Sequence, residues 1–342
     1  MLDMERLNID AAASFEDVNN LLYRLGMTDG LPVVPPTEGR VAAMVGERDP
    51  LEVAACLPPM RGQATVRRLA ACAVMAGCRP GDFNVLMAAT AAVSEPAFNL
   101  FGIQTTTGTA TPMLIINGPV VQRLGLNTAA NALGPGTRAN AAIGRALQFV
   151  LRTIGGAQPG RGDQATMGQP GKFTFCCAEN TLASPWEPLH VWRGFAPQQS
   201  TVTAVAAAGT VEVVDADSAD AEGVLTTLAR SMTIAGSLGR DHLLGGGEPL
   251  LLVAPEHAAI IARTHSRRQA QAFLFEHARL RVDALAWAQA ERLREASVTE
   301  LTVAARPEDI MLVVLGGPGA KSTYVPTWGG GTRAVTRVVE PD

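Results

Sequence analysis

Residues 112–116 read Pro-Met-Leu-Ile-Ile, and residues 249–253 read Pro-Leu-Leu-Leu-Val. Both runs are short, almost wholly apolar and bounded by turn-forming residues, which is typical of a buried strand. Each is followed by a short turn that contains proline and then by a helical pattern. The sequence therefore predicts an α/β protein in which a strand with flanking helices occurs twice.

The elements around the two strands recur in the same order. A helix pattern precedes each strand, two helix patterns follow it, and another β run comes later. In the first half these are residues 85–93, 120–124, 138–151 and 200–206; in the second they are residues 224–232, 256–262, 267–280 and 309–315. The offset of 136 to 139 residues over the best-matched part indicates an internal duplication, although such an order also recurs by chance. A duplicated chain is expected to bind its ligand between the halves.

The predicted organisation is two related α/β halves packed as one compact unit. Residues 1–56 form an N-terminal helix, capped by Ser14, and an extended proline-rich arm. The first half is residues 57–199, with a long loop-rich insert at 155–197, and the second half is residues 200–342. The insert contains cysteine, tryptophan and histidine, so we expect it to be functional rather than disordered.

The composition favours a soluble globular protein. Of 342 residues, 47% are hydrophobic, 18% charged and 5% aromatic, with a net charge of −4, so neither nucleic acid nor an anionic membrane is an expected partner. Residues 1–10 lack the apolar core of a signal peptide, and the most apolar stretch, residues 69–78, is too short to span a bilayer. The five cysteines are an odd number without a CxxC pair, which favours reduced thiols in a cytoplasmic protein.

The insert contains the residues predicted to carry the chemistry. Residues 173–177 read Phe-Thr-Phe-Cys-Cys, and strand alternation places Cys177 with the two phenylalanines and Cys176 on the opposite face. Cys177 is expected to be buried and Cys176 to be the catalytic thiol, with its pKa lowered by Lys172 or His190. The alternative is that both cysteines are structural residues of a buried strand.

A glycine-rich loop precedes the helix pattern that begins at Arg138. Gly134 and Gly136 would let the backbone approach a ligand, and the helix N-terminus with Arg138 and Asn140 would hold an anion. Glycine and proline also simply punctuate loops, which is the structural alternative.

Three further side chains complete the predicted site. Thr105 and Thr106, before the first strand, could orient a polar substrate, and Glu248, before the second strand, is a candidate general acid or base. The alternative is that all three are solvated loop side chains.

A metal site is a second interpretation of the insert. Cys176, Glu179, Glu187 and His190 could bind zinc, because thiolate, carboxylate and imidazole are all zinc ligands. Pro188 interrupts the Glu-x-x-His spacing and prevents the helical geometry that would make it diagnostic. No cofactor is therefore predicted, and zinc is the alternative.

Four stretches together point to a family. They are residues 29–37 (Asp-Gly-Leu-Pro-Val-Val-Pro-Pro-Thr), 73–80 (Ala-Val-Met-Ala-Gly-Cys-Arg-Pro), 168–172 (Gly-Gln-Pro-Gly-Lys) and 184–190 (Ser-Pro-Trp-Glu-Pro-Leu-His). They resemble a largely uncharacterised bacterial family whose members are often encoded beside, or fused with, small UGSC-type (seleno)proteins. The Cys-Gly-Ser-Cys motif of those small proteins is absent here. The resemblance covers nearly the whole chain and implies a two-subunit enzyme in which this chain supplies much of the substrate site.

These observations lead to one hypothesis for function and three alternatives. The chain is expected to be an enzyme subunit, of lyase or hydrolase type, that makes or breaks a carbon–heteroatom bond in a small anionic metabolite by means of Cys176 at the interface of two halves. The alternatives are a thiol–disulfide redox protein working with a UGSC-type partner, a non-catalytic substrate-binding or scaffold subunit, and a metal-dependent lyase or hydrolase. An oligomer is also expected.

Overall fold

The computed structural model describes residues 13–239 and 242–341, so the predicted features of residues 1–10 lie outside it. The chain is mixed α/β. Its α-helices are α1 (Phe15–Arg24), α2 (Glu38–Val45), α3 (Val66–Ala76), α4 (Phe83–Ser94), α5 (Leu100–Thr105), α6 (Val120–Arg123), α7 (Arg138–Phe149), α8 (Leu189–Trp192), α9 (Ala221–Ser231), α10 (Pro255–Ala262), α11 (Arg267–His277) and α12 (Trp287–Glu295). Among the described residues, no single helix is long and apolar enough to cross a membrane; the pair Pro80–Ser94 and Pro96–Thr105, bent by 72°, passes by length and composition alone.

The strands are short and lie between these helices. They are β1 (Val53–Leu57), β2 (Gly62–Thr65), β3 (Thr111–Asn117), β4 (Cys176–Ala178), β5 (Thr201–Ala207), β6 (Val211–Val214), β7 (Leu250–Val253), β8 (Arg279–Arg281), β9 (Glu300–Thr302), β10 (Met311–Val314), β11 (Lys321–Val325) and β12 (Val335–Val338). The short 3-10 turns are Pro80–Asp82, Pro96–Phe98, Pro170–Lys172, Val282–Ala284 and Pro307–Asp309, and a π-turn, Val150–Ile154, extends α7.

Two four-stranded mixed sheets form the centre of the fold. The first sheet has the order β12-β5-β3-β4, and the second has the order β6-β11-β7-β10. In the first, β3 is parallel to β4 and antiparallel to β5, which is antiparallel to β12. In the second, β7 is parallel to β10 and antiparallel to β11, which is antiparallel to β6. The two sheets therefore share one order of strand directions.

The chain passes between the sheets twice, in opposite directions. From β5 in the first sheet it continues into β6, which is the edge strand of the second. From β11 in the second sheet it continues into β12, which is the edge strand of the first. If the chain is divided after β6, each half ends with a strand that pairs with the other half's sheet. We call these two segments the exchanged strands.

The sheets pack face to face, and helices cover the outer face of each. The layer between the sheets is apolar and contains Met113, Ile115, Cys177, Leu250, Leu252 and Val313. The opposite face of the first sheet packs against α3, α4 and α7, and that of the second packs against α9, α10 and α11. Because successive residues of a strand point to opposite faces, each sheet contributes to two apolar cores. The result is a four-layer α/β/β/α arrangement.

Most elements predicted from the sequence are present. The prediction that residues 200–206 and 309–315 are equivalent strands of the two halves is wrong. Residues 200–206 and 309–315 contain β5 and β10. β5 is antiparallel to β3, whereas β10 is parallel to β7. In strand order and direction, β10 therefore corresponds to β4, and β11 corresponds to β5. β4 lies within the predicted insert, where residues 173–177 were interpreted as a strand; the strand is Cys176–Ala178 and so begins later than predicted. The predicted boundary at 199/200 also places β5 outside the sheet to which it belongs.

The arm after α1 is fixed to the body of the first half. Ser14 caps α1 as predicted, accepting a hydrogen bond from the Asp17 N–H at 3.1 Å. Further along, Asp29 accepts two hydrogen bonds from Arg145 of α7, at 2.7 and 2.8 Å. This charge-assisted pair joins the arm to α7.

Candidate ligand-binding site between the sheets

A cavity of about 480 Å³ lies where the two halves meet, and we call it the seam cavity. One wall comes from β12 and the end of the 155–197 segment, and the other from α11 and the start of β10. The polar side chains of its lining include Glu95, Arg193, Arg267, Gln271, Glu308, Thr336 and Arg337. Concave sites between packed units commonly hold small ligands.

Arg267 is a buried cation in the wall of this cavity. The residue is 4% exposed, and its guanidinium donates to the carbonyl oxygens of Leu312 at 2.7 Å and Glu187 at 2.6 Å. Among the described residues no carboxylate lies within ion-pair distance of it. Burial lowers the pKa of Arg267, and the charge of Glu179 acts in the opposite direction from further away. Because a buried charge without a counter-ion is costly, an anion in the cavity would stabilise this arginine.

Gln271 lies one helical turn after Arg267, on the same face of α11. Its side-chain amide donates to Ile310 O at 2.7 Å, while its carbonyl oxygen is buried without a partner. The Nε of Arg267 is also buried and unpartnered. Ser266, which caps α11, fixes where this face begins. Two adjacent side chains of the cavity wall therefore retain unused hydrogen-bonding atoms.

The remaining arginines of the seam cavity have partners within the protein. Arg193 donates to the Thr336 hydroxyl at 2.8 Å and to Ala334 O at 2.7 Å. Arg337 forms an ion pair with Glu95. These contacts hold the β12 wall in place and leave Arg267 as the arginine best placed to meet an incoming anion.

A buried carboxyl group lies behind the cavity wall. Glu179 is 1% exposed and accepts hydrogen bonds from Asn117 Nδ2 at 2.5 Å and from the N–H of Leu189, a cavity residue, at 2.7 Å. Its other oxygen has no partner. Burial raises the pKa of Glu179 above the ordinary value, although these hydrogen bonds and the charge of Arg267 act against the rise.

The raised pKa of Glu179 predicts a specific pH dependence of stability. A carboxyl group that holds its proton more tightly in the native state stabilises it most below the unfolded-state pKa, and this contribution is lost as pH rises. We therefore expect Glu179→Gln to gain stability relative to the wild type as pH increases above about 4.5. Urea unfolding across this range measures the difference, with the exposed Glu222→Gln as the control. A difference that does not change with pH would contradict the assignment.

Cys176, the predicted catalytic thiol, is buried. Cys176 and Cys177 are 5% and 0% exposed. They point to opposite faces of β4 as predicted, but Cys176 enters the helix-covered core, where α7 packs so closely that a Cβ on Gly144 would lie 3.1 Å from that of Cys176. Burial, followed by the nearby Cys177, Cys78 and Asp82, raises the pKa of the Cys176 thiol well above its usual value. A thiolate nucleophile is not favoured at this position.

The predicted anion clamp at Arg138 is occupied by the protein itself. Arg138 forms a two-pronged ion pair with Asp82, which is fully buried. Asn140 hydrogen-bonds both backbone groups of Asn127, so it fixes the preceding loop. A Cβ at Gly134 would lie 2.1 Å from the Asn131 side chain, which gives that glycine a packing role, and Gly136 has a φ of +125°, which favours glycine.

The other predicted site residues lie in different places. Lys172 pairs with Asp163 at 2.5 Å beside a separate cavity. The Thr105 hydroxyl donates to Phe101 O at 2.8 Å and that of Thr106 accepts from Gly108 N–H at 3.0 Å. Both threonine hydroxyls are therefore used in local turns.

His190 and Glu248 lie beside residues of the seam cavity. His190 is 2% exposed, with Nε2 3.3 Å from Pro197 O and Nδ1 unpartnered, and burial lowers its pKa. Glu248 accepts a hydrogen bond from the Ala334 N–H and lies 3.9 Å from Arg193. None of the sequence-predicted site residues lines the seam cavity: two lie beside its lining, Cys176 lies in the helix-side core and Lys172 lies at a separate cavity of the first half.

The alternative zinc set is not assembled. Cys176 faces the helices, whereas Glu179 lies on the side of β4 that faces the second sheet. Among the described residues, no group of three or more His, Cys, Asp and Glu side chains is placed to hold a metal ion.

Arg267 and Gln271 were missed, and Glu179 was named only in the zinc alternative. The helix from 267 was predicted, and the spacing of Arg267 and Gln271 was visible as a polar pair on one face. Only the packing of α11 against the 155–197 segment shows that this face is buried. Comparisons with protein-family models, with curated proteins and with solved structures give no match.

Proposed function

We propose that this chain is the substrate-binding subunit of an enzyme and that its ligand is a small anionic metabolite held in the seam cavity. The observation that supports this most directly is Arg267, a buried arginine of the cavity wall without a carboxylate partner among the described residues. A guanidinium recognises carboxylate and phosphate groups through paired N–H donors. Gln271 also lines the cavity, and its buried carbonyl oxygen has no partner among the described residues.

The chemical step is assigned to a second chain. The described residues that line the seam cavity include no cysteine, serine, histidine or lysine. Of the nucleophile types that the lining does contain, Thr336 and Glu95 are engaged by Arg193 and Arg337, and Glu308 is exposed. These side chains suit binding better than nucleophilic attack. The resemblance to proteins encoded beside UGSC-type chains suggests where a reactive thiol would come from. In this proposal the partner makes or breaks a carbon–heteroatom bond in the metabolite that this chain holds.

Calorimetric titration with small carboxylates tests the binding site. We expect saturable binding of at least one such anion by this chain alone, no binding of its neutral amide or alcohol, and weaker binding as salt increases. Arg267→Met should lower the affinity by at least about tenfold, because hydrogen bonds to charged groups contribute more than 1.4 kcal/mol.

Two variants guard against a loss caused by misfolding. Gln271→Leu removes the neighbouring acceptor while retaining the charge, and should weaken binding less than Arg267→Met. Arg263→Met removes an exposed arginine that also donates to a carbonyl oxygen, that of Ala219, and should bind as the wild type does. Equal affinity in Arg267→Met and the wild type would refute the binding site. Turnover by this chain alone would refute the assignment of the chemical step to a second chain.

We also infer that the two halves arose by duplication. Supporting this, the two sheets share strand order and directions, and each half ends in an exchanged strand. A local contact also recurs: the Val120 N–H donates to the Ser200 hydroxyl at 2.9 Å, and the Ala254 N–H donates to the Ser322 hydroxyl at 3.0 Å. Ser200 immediately precedes β5, and Ser322 lies near the start of β11. Their donors, Val120 and Ala254, lie at the start of the helices that follow β3 and β7.

A further inference from the structure

A second cavity, of about 330 Å³, lies in the first half and shares no described lining residue with the seam cavity. We call it the arginine cavity, after Arg152 and Arg161, which line it with Met27, Met60, Thr153 and Gln158. No acidic side chain of the described residues lines it. A neighbouring cavity of about 290 Å³ shares Arg152, so a ligand bound at this arginine has space on either side.

Arg152 has unused hydrogen-bonding capacity. Its Nε donates to Gly26 O at 3.4 Å, and its two terminal nitrogens have no partner among the residues that the structure describes. The side chain is only partly exposed. Arg161, in the same lining, makes no side-chain hydrogen bond or ion pair within 13–239 and 242–341. Two guanidinium groups therefore face one cavity without a counter-ion in direct contact.

The walls of the arginine cavity are held by backbone contacts. Arg152 and Thr153 belong to the π-turn, which is closed by a hydrogen bond from the Gly155 N–H to Val150 O at 3.1 Å. The Met60 N–H donates to Gly155 O at 2.9 Å. A Cβ on Gly62 would lie 1.8 Å from Ile154 O, so only glycine permits this approach. π-turns within helices occur often at functional sites, and here the turn fixes the position of Arg152.

The charges around Arg152 leave a positive excess. Asp29 is paired with Arg145, and Asp163 is paired with Lys172. The charges of both carboxylates act to raise the pKa of Arg152, although both lie beyond ion-pair distance from it. The group therefore contains four basic side chains and two acidic ones, which gives it a net charge of about +2. They are Arg145, Arg152, Arg161 and Lys172, with Asp29 and Asp163.

We propose that the arginine cavity binds the phosphate group of a phosphate monoester whose aliphatic part packs against Met27 and Met60. The two guanidinium groups, neither of them ion-paired within the described residues, suit the charge of a dianionic phosphate, and the methionines supply an adaptable apolar surface. This site is separate from the seam cavity, so it would bind a second ligand or an effector.

Titration of the full chain with inorganic phosphate and with butyl phosphate tests the proposal. We expect one site for each, with butyl phosphate the tighter ligand and butanol without effect. Arg161→Gln, at the more exposed of the two arginines, and Arg152→Gln should each weaken binding by about tenfold or more, as expected for the loss of a charge-assisted contact. Arg294→Gln, which removes one positive charge from exposed α12, should leave the affinity unchanged.

The controls separate this site from the proposed function. Arg267→Met should retain butyl phosphate binding at the arginine cavity even if it loses the ligand of the seam cavity. Wild-type affinity in the Arg152→Gln/Arg161→Gln double variant would overturn the proposal. So would an equal loss in Arg294→Gln, or the absence of binding by the wild type in the millimolar range.

Discussion

Treatment of the folded protein with a thiol reagent at neutral pH is expected to modify Cys56 and to leave Cys176 and Cys177 intact. Cys56 is exposed, whereas the other two are buried on opposite faces of β4. Burial raises the pKa of Cys177 to about 12, which lowers its thiolate fraction about a thousandfold relative to an ordinary cysteine. The pKa of Cys176 is raised well above its usual value for the same reason, and α7 also blocks access to it.

Peptide mapping by mass spectrometry measures these rates site by site. In denaturant, all five cysteines should react at similar rates, which provides the control. Rapid labelling of Cys176 in the folded state would restore it as a candidate nucleophile, and the binding-subunit proposal would then lose its main reason for placing the reactive thiol on another chain.

Arg138→Met is expected to lower the free energy of unfolding by about 3 kcal/mol while leaving anion binding at the seam cavity unchanged. The substitution leaves the fully buried Asp82 with one hydrogen bond, from the Arg79 N–H at 2.6 Å. This expected loss in the free energy of unfolding is at the low end of the range for breaking a buried ion pair. The reason is that the Arg138 side chain is 35% exposed, so water can replace part of the lost interaction.

Chemical denaturation of a matched set tests this role of Arg138. Arg281→Met, which breaks an exposed pair with Asp283, should not measurably change the unfolding midpoint. The double variant Asp82→Asn/Arg138→Met should recover part of the stability, because a neutral amide costs less to bury than a carboxylate. If Arg138→Met instead kept full stability and lost anion binding, Arg138 would be the clamp that its place at a helix N-terminus suggested.

Local sequence patterns predicted individual elements well and their assembly less well. The apolar runs of β3, β5, β7 and β10 and the capped start of α1 were visible because their signals lie within a few residues. Strand direction is set by contacts between distant segments, so the correspondence of β4 with β10 could not be inferred from spacing. β11 was also hidden, because Lys321, Ser322 and Thr323 break the apolar pattern.

The candidate site was the least predictable part. The insert, which the sequence singled out as a source of site residues, contributes Leu189 and Arg193 to the lining of the seam cavity. The sequence could not show that Asp82 would take Arg138, because these residues are 56 positions apart. Nor could it show that Arg267 would have no carboxylate partner within residues 13–239 and 242–341. Composition reveals which charges are present, but only packing decides which remain uncompensated.

The exchanged strands limit how a ligand can reach the seam cavity. Two-lobed binding proteins commonly open by rotation about a hinge, but here β6 and β12 are each hydrogen-bonded into the opposite sheet. Moving the two sheets apart would expose the apolar layer between them. We therefore expect entry to depend on side chains of the cavity lining, such as the half-exposed Arg337–Glu95 pair. An entrance controlled by side chains in this way would admit small solutes quickly and exclude large ones by size.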